Sequence, residues 1–198
     1  MAKLEELREF WDSTDLGPYD RCLPGLFPEG FDLLATLKEL IHTENQVLEI
    51  GCGYGRLCKA FSPEGYIGVD ISQKVLDVAK QHNPEYTFEL VEIDQKLPLS
   101  DTSLLYTVGL HIPNEHLRRF LEPICEASTD ILICEIMDSR WSRAGNPQVF
   151  NRDPEVYIMQ MLSLGFRLKT YLKKEYARYV QHAKGREARI SFHLYHRY

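Results

Sequence analysis

Three glycines at alternate positions follow a short apolar run in the stretch Val47 to Leu57 and precede a predicted helix start. Gly51 permits a tight turn, while Gly53 and Gly55 let backbone and ligand approach closely at the N-terminus of a helix. In the dinucleotide pattern Gly-x-Gly-x-x-Gly, the position of the third glycine would fall on Arg56. The spacing therefore predicts a nucleotide-binding turn and argues against NAD.

Acidic residues accompany this turn at positions where a carboxylate needs a partner. Asp70 ends the next apolar run, about twenty residues beyond the glycines, where it can accept both hydroxyls of a ribose. Glu49 lies inside the first strand, and a carboxylate there is costly unless it is paired. Asp94 follows the third strand and has a neighbour in Glu92. For Asp70, the alternative to ribose binding is a solvated acid at a strand end. For Asp94, a solvated loop acid and a binding role are about equally supported.

With Glu49 and Asp70, the glycine turn resembles the first motif of class I S-adenosylmethionine-dependent methyltransferases. The resemblance covers about 90 residues, 47–137, and implies a Rossmann-like methyltransferase fold with S-adenosylmethionine as cofactor. It implies that Glu49 gathers the turn amides and the methionine ammonium, and that Asp94 holds the adenine amino group. The implied cofactor-binding residues are Glu49, Gly51, Cys52, Gly53, Gly55, Asp70, Ile71, Ile93, Asp94, Gln95 and Tyr19.

Tyr19 belongs to an N-terminal segment, 11–22, which resembles the region that closes over cofactor and substrate in many small methyltransferases. An aromatic pair that packs a helix on the sheet is an equal alternative. We expect one domain over residues 1–198, made of an N-terminal helical cap (1–45), a cofactor-binding half (46–138) and an acceptor-side half (139–198).

His111 is the candidate catalytic residue. Methyl transfer to an alcohol or phenol requires a group that takes the proton of the acceptor. The run Val108 to Pro113 places His111 at the carboxyl end of the fourth strand, beside the expected methyl position. A capping or packing histidine is the competing interpretation, and His116 is a poorer second candidate.

Missing motifs exclude several kinds of methyltransferase. The chain has no Asn-Pro-Pro-Tyr type sequence after the fourth strand and no Pro-Cys pair, and the fourth strand does not end in a carboxylate that a metal would need. We expect no metal. The sequence favours methylation of a small molecule, at oxygen rather than nitrogen. A protein or RNA acceptor is an alternative, and so is a non-catalytic protein that binds S-adenosylmethionine or S-adenosylhomocysteine.

The charge is distributed unevenly along the chain. Residues 1–138 hold 11 basic and 25 acidic residues, whereas residues 139–198 hold 12 basic and 4 acidic ones. Arg140, Arg143 and Arg152 fall in the loop after the fifth strand, which in the fold that the resemblance implies usually helps to build the acceptor pocket, and Arg186 falls in the loop before the last strand. We therefore expect these basic residues to bind an anionic acceptor. A solvated basic face is the alternative. A net charge of −6 makes nucleic acid a poor partner.

The elements that must position these residues alternate between strands and helices. Apolar runs predict strands at 47–50, 66–70, 87–91, 104–110, 131–137, 167–171 and 190–195. Helical patterns occupy 4–11, 31–41, 56–61, 72–81, 114–127 and 154–164. This order predicts an α/β fold with a mostly parallel seven-stranded sheet, an antiparallel C-terminal edge and helices on both faces.

The remaining composition is ordinary for a globular chain, with 44% hydrophobic and 26% charged residues. No run approaches the length of a membrane span, and the first residues lack a secretion signal, so we expect a cytoplasmic protein. The five cysteines form no Cys-x-x-Cys pair, and we expect reduced thiols. The sequence leaves the oligomeric state open.

Overall fold

A seven-stranded sheet in the order β3-β2-β1-β4-β5-β7-β6 organises the computed structural model. The structure describes residues 2–13, 27, 29–42, 44–92, 95–144, 148–175 and 189–198. The strands are β1 (Val47–Ile50), β2 (Tyr66–Asp70), β3 (Thr87–Leu90), β4 (Ser100–Tyr106), β5 (Ser128–Glu135), β6 (Phe166–Glu175) and β7 (Arg189–Arg197).

Strands β1 to β5 run parallel to one another, and β7 is antiparallel to both of its neighbours, β5 and β6. The register pairs Glu49 with Gly68 on β2 and with Leu104 on β4. Because the strand order reverses between β1 and β4, a crevice is expected at their carboxyl ends. The predicted sheet and its antiparallel C-terminal edge are confirmed.

Five α-helices lie among the described residues: α1 (Ala2–Ser13), α2 (Leu33–Leu40), α3 (Gln73–His82), α4 (Leu117–Ala127) and α5 (Pro154–Ser163). Local capping explains two of the starts. The Asp32 side chain accepts a hydrogen bond from Ala35 N at 3.0 Å, and Ser72 accepts one from Val75 N at 3.5 Å, as its position before the helix predicts. Proline at the first position of α5 has a φ angle that suits a helix start.

Two apolar layers cover the sheet, one on each face. The first joins α2 to Leu104, Tyr66 and Phe192. The second joins α4 and α5 to Leu48, Ile133 and Tyr195. Burial on both faces explains why β1 and β5 read as nearly continuous apolar runs.

Several predicted boundaries differ from the structure, for example those of the fourth strand, the first short helix and the sixth strand. The fourth strand was expected at 104–110 but ends at Tyr106, because Thr107 has a φ of +58° and the chain then forms a 3₁₀ turn over Gly109–His111. The helix expected at 56–61 is reduced to a 3₁₀ turn at Cys58–Ala60. The sixth strand is longer than predicted, since β6 pairs with β7 from Phe166 to Glu175, with one irregularity between Leu168 and Thr170.

Four cysteines in the described part of the chain, Cys52, Cys58, Cys125 and Cys134, are buried free thiols. Cys22 lies outside the described residues. No helix within the described ranges is long and apolar enough to cross a membrane.

Candidate active site

A cleft lies at the carboxyl ends of β1, β2 and β4. Its volume is about 940 Å³ when the open space at its mouth is counted. Its walls are mostly apolar and include Ile50, Val69 and Ile112. Polar groups enter it from Asp70 and His111. A mostly apolar cleft with a few convergent polar groups is the usual form of a site for a small organic ligand.

The glycine turn forms one side of this cleft. Gly51 has a φ of +68°, and a Cβ atom built on it would lie 2.6 Å from Cγ2 of Val108. A Cβ atom on Gly55, at a φ of +78°, would lie 2.7 Å from the ring of Phe88. A side chain at either of these two positions would therefore collide with a neighbouring side chain, so the turn requires glycine at both.

Asp70 is held rigidly at the end of β2 and is only 5% exposed. Its Oδ2 accepts a hydrogen bond from Gly53 N at 2.9 Å, and its Oδ1 accepts one from Ser72 N at 3.0 Å. Burial raises the pKa of this carboxyl, while the backbone hydrogen bonds act in the opposite direction. Since each carboxylate oxygen has two lone pairs, Asp70 retains acceptor capacity for a ligand in the cleft.

Glu49 lies in the middle of the sheet and is fully buried. Tyr66 Oη donates a hydrogen bond to its Oε2 at 2.5 Å, and Oε1 has no hydrogen-bond partner among the described residues. Burial raises the pKa of Glu49 to about 7, although the Tyr66 hydrogen bond and the Arg56 charge lower it.

The turn amides bond elsewhere than to Glu49. Gly51 N and Cys52 N donate to the carbonyl of Val69, and Gly53 N donates to Asp70. None of these three amides donates directly to Glu49, because the adjacent strand and Asp70 supply their acceptors, and a role of Glu49 through water or toward the methionine ammonium stays a prediction.

His111 projects from the 3₁₀ turn after β4 and lines the cleft. The Trp11 ring of α1 packs against the imidazole, and Nδ1 has no hydrogen-bond partner in the described part of the chain. Burial lowers the pKa of His111 to about 4, and the Arg143 charge acts in the same direction, whereas a hydrogen bond with the Gln148 backbone opposes it. The imidazole is thus neutral at pH 7 and offers a lone pair.

Thr107 and Arg56 line the cleft but were not predicted as site residues. Thr107 has a φ of +58°, which is a strained conformation for a β-branched residue. Residues with strained backbone are concentrated at functional sites. Arg56 lies 5.5 Å over the ring of Tyr106. The position of Arg56 directly after the third glycine was a usable signal, but a threonine at the end of a strand gives none.

The basic residues of the predicted acceptor loop differ in their surroundings. Arg140 is exposed and its guanidinium pairs with the Asp138 carboxylate, at 2.8 Å between Nε and Oδ1. Arg143 bridges to Val149 through backbone hydrogen bonds, close enough to His111 for its charge to act on the imidazole. Both arginines are exposed, and neither is among the residues that line the cleft.

Some of the other predicted site residues are described by the structure, and some lie outside the described residues. Ile71 lines the cleft, Cys52 is buried in the glycine turn, and Gln95 closes a small turn by accepting a hydrogen bond from Glu92 N at 3.2 Å. The predictions that lie outside the described residues are those for Tyr19, Ile93, Asp94 and Arg186.

Helix α1 lies against the mouth of the cleft. Arg8 Nη1 pairs with Glu92 Oε1 at 2.7 Å, and Trp11 reaches the cleft wall three residues later. Helix α1 thus contributes Trp11 to the wall of the cleft and Arg8 to an ion pair with a residue that lines it, while the cap over residues 1–45 stays a prediction.

Comparison with known proteins identifies the fold. A family model for a methyltransferase domain matches residues 47–129. No curated protein sequence matches the chain significantly.

Solved structures match over much more of the chain. Magnesium protoporphyrin IX methyltransferase from Synechocystis PCC 6803, with bound S-adenosylmethionine, superposes with a TM-score of 0.70 at 16% identity, over 99% of this chain and 97% of that one. An S-adenosylmethionine-dependent methyltransferase from Methanosarcina mazei gives 0.68 at 11% identity, over 84% and 99%. The [4+2]-cyclase SpnF gives 0.67 at 12% identity, over 83% and 79%, so the fold alone does not fix the reaction.

Proposed function

We propose that the chain is a class I S-adenosylmethionine-dependent methyltransferase and that it methylates a small molecule, at oxygen rather than nitrogen. The observation that carries this proposal is that His111 lines the same cleft as Gly51 and Asp70, and that its buried Nδ1 has no hydrogen-bond partner among the described residues. A hydroxyl acceptor must lose its proton on methylation, whereas His111 would have a weaker role with an amine that is already deprotonated.

The residues of the cleft fit the cofactor. Gly51 leaves backbone exposed where a side chain would collide with Val108, and Asp70 offers rigid acceptor oxygens for ribose hydroxyls. We assign cofactor binding to the glycine turn, Asp70 and Ile71. When bound, S-adenosylmethionine supplies a methyl group activated by its sulfonium, so the protein has only to align the acceptor and accept a proton.

His111 accepts that proton at Nδ1. With S-adenosylmethionine bound, the acceptor oxygen would take the methyl group that the sulfonium releases, and the imidazole of His111 would take the hydroxyl proton. Burial beside Trp11 excludes water from the ring, which keeps the base neutral before the reaction. An anionic acceptor beside the ring would raise the pKa of His111 and make it a better base.

The size and lining of the cleft favour a small acceptor over a macromolecule. Its apolar walls suit a carbon skeleton, and α1 narrows its mouth through Trp11 and the Arg8–Glu92 ion pair. The Synechocystis enzyme of the same fold also methylates a small molecule, magnesium protoporphyrin IX. Arg143 supports an anionic group on the acceptor, since its charge acts near His111.

The test is a screen of metabolite pools with labelled S-adenosylmethionine, followed by kinetics of His111→Ala. We expect turnover to fall roughly a hundredfold or more, with the dissociation constant of the cofactor unchanged in calorimetry. His116→Ala is the matched control, and we expect normal turnover. Normal turnover in His111→Ala would contradict the catalytic role, and cofactor binding without transfer to any pool would favour a binding protein.

A further inference from the structure

A buried polar network lies behind the turn that carries His111. Glu135 ends β5, Tyr157 lies on α5, and Arg152 precedes that helix. These side chains are at most 4% exposed, and none is among the residues that line the cleft. They therefore do not reach a bound acceptor.

The network holds backbone groups on both sides of His111. Leu110 N donates a hydrogen bond to Glu135 Oε1 at 3.0 Å. Arg152 Nη1 donates to the carbonyl of Gly109 at 2.8 Å, and Nη2 donates to the carbonyl of Ile112. The positions directly before and after His111 are thus fixed to charged side chains in the protein interior.

Inside the network, a phenol links the two charges. Tyr157 Oη donates to Glu135 Oε2 and accepts from Arg152 Nη1 at 3.3 Å. Arg152 Nε also donates to Asn114 Oδ1 at 2.8 Å. Burial raises the pKa of Glu135, and the hydrogen bond from Tyr157 and the nearby Arg152 charge oppose that rise.

Gly109 is the residue that lets this network reach the backbone. A Cβ atom at this position would lie 2.8 Å from Glu135 Oε1 and 2.9 Å from Tyr157 Oη. A larger residue would displace both side chains from the turn. The glycine, the acid and the phenol therefore form one packed unit.

We infer that Glu135, Tyr157 and Arg152 are positioning residues that orient His111, an inference that rests on the catalytic role proposed above. Buried charges stabilise a fold poorly compared with apolar groups of the same volume. Apolar groups, however, cannot donate to the carbonyls of Gly109 and Ile112, although the Gly109 carbonyl also accepts a hydrogen bond from Ile112 N within the turn, at 3.0 Å. Fixing those carbonyls fixes the backbone on both sides of His111 and thereby restricts the direction of the imidazole.

The first test is a double-mutant cycle on the full chain with the acceptor found in the screen. Tyr157→Phe removes one hydroxyl and should lower kcat roughly tenfold or more, with the cofactor dissociation constant unchanged. In the His111→Ala background the same change should lower kcat no further, because the network acts through His111. An equal loss in both backgrounds would overturn the inference.

The second test needs no acceptor. In protein with isotope-labelled histidine, the His111 signal is the one missing from His111→Ala, and at pH 7 it should show one neutral tautomer with Nδ1 unprotonated. Tyr157→Phe should convert it to a mixture of tautomers, while the control Tyr171→Phe, on an exposed side chain of β6, should leave it unchanged. An unchanged signal in folded Tyr157→Phe would refute positioning.

The two tests separate this inference from the proposed function. If His111→Ala keeps full turnover, the catalytic proposal fails, while the tautomer measurement still decides whether the network orients the ring. If Tyr157→Phe does not fold, Glu135→Gln takes its place, because the amide oxygen keeps an acceptor for Leu110 N but removes the charge.

Discussion

Trp11 and His111 meet edge to face, with ring centroids 5.1 Å apart and ring planes at 74°. Trp11 comes from the first helix and His111 from the turn after the fourth strand. The contact therefore makes an N-terminal segment part of the wall around the candidate base. It also buries the imidazole, which is the first cause of its lowered pKa.

Removal of the tryptophan should raise the pKa of His111. In the wild type, burial holds the pKa at about 4, so the neutral base should persist as the pH falls well below 6. In Trp11→Ala, water reaches the ring, and we expect its pKa to move toward 6.5, so that activity is lost at a higher pH. Histidine titration by NMR and the pH profile of turnover measure this shift. Trp11→Phe keeps an aromatic cover and should shift less, and equal profiles in all three proteins would contradict the prediction.

Cofactor binding should depend on Asp70. S-adenosylmethionine at a hundred times its dissociation constant should stabilise the native chain by about 2.7 kcal/mol, seen as a higher melting temperature. Asp70→Ala should lose most of that increase, because the ribose hydroxyls lose their acceptors.

The comparison must use the increase caused by ligand, since Asp70→Ala also frees the amides of Gly53 and Ser72 and lowers the melting temperature itself. NAD should have no effect on any variant, and Asp77→Ala, on the exposed side of α3, should respond like the wild type. A full increase in folded Asp70→Ala would remove this residue from the site.

Glu49 should make the chain less stable as the pH rises. Its pKa in the folded state is about 7 against 4.5 for a free side chain, so between these values the folded state binds more protons than the unfolded state. The free energy of unfolding should therefore fall by about 3 kcal/mol from pH 4.5 to pH 7 through this group and then level off.

Glu49→Gln isolates that contribution. The amide does not titrate and its oxygen can still accept from Tyr66, so the difference in unfolding free energy between variant and wild type should grow with pH over that window. Denaturant unfolding at a series of pH values measures the difference. A constant difference would mean that Glu49 titrates normally in the folded chain.

Gly51→Ala should abolish cofactor binding and destabilise the fold. The φ of +68° alone costs about 1–2 kcal/mol for alanine, and the new Cβ would also collide with Val108. Gly30→Ala is the matched control, because Gly30 has a φ of +84° and open space around its Cβ position. Equal losses of stability in the two variants, with cofactor binding intact, would show that the turn tolerates a side chain.

Arg143 should contribute to acceptor binding. Arg143→Ala is expected to raise the Michaelis constant of an anionic acceptor and to leave the cofactor dissociation constant unchanged, because the two ligands lie on opposite sides of the transferred methyl group. Arg186→Ala should act alike, and Arg186→Lys should restore binding only in part. Arg118→Ala, an exposed arginine paired with Glu122, is the control. Unchanged kinetics in both alanine variants would mean that the basic residues of the C-terminal part do not bind the acceptor and form only a solvated basic surface.

Local patterns explain what could be predicted from the sequence. The glycine turn and the acid of β2 are marked by residue type and spacing within about twenty residues, and the sheet follows from apolar runs separated by helical patterns. Thr107 was expected to continue β4, because β-branched residues favour strands and nothing local indicates a positive φ.

Long-range pairing explains what was missed. Glu135, Arg152 and the carbonyl of Gly109 meet only in the folded chain, and no spacing predicts which buried charges will pair. The contact between Arg140 and Asp138 is local, yet the choice of that partner over a ligand depends on side-chain conformation.

The position of β7 has a consequence for the order of folding. It lies between β5 and β6 but follows both in the chain, so β6 has no partner in the sheet until β7 has been synthesised and inserted. Until then the growing chain exposes the edge of β5, whose apolar residues include Ile131 and Ile133. The unpaired backbone groups of such an edge can form hydrogen bonds with a strand of another chain. We expect insertion of β7 to be the step at which folding competes with aggregation.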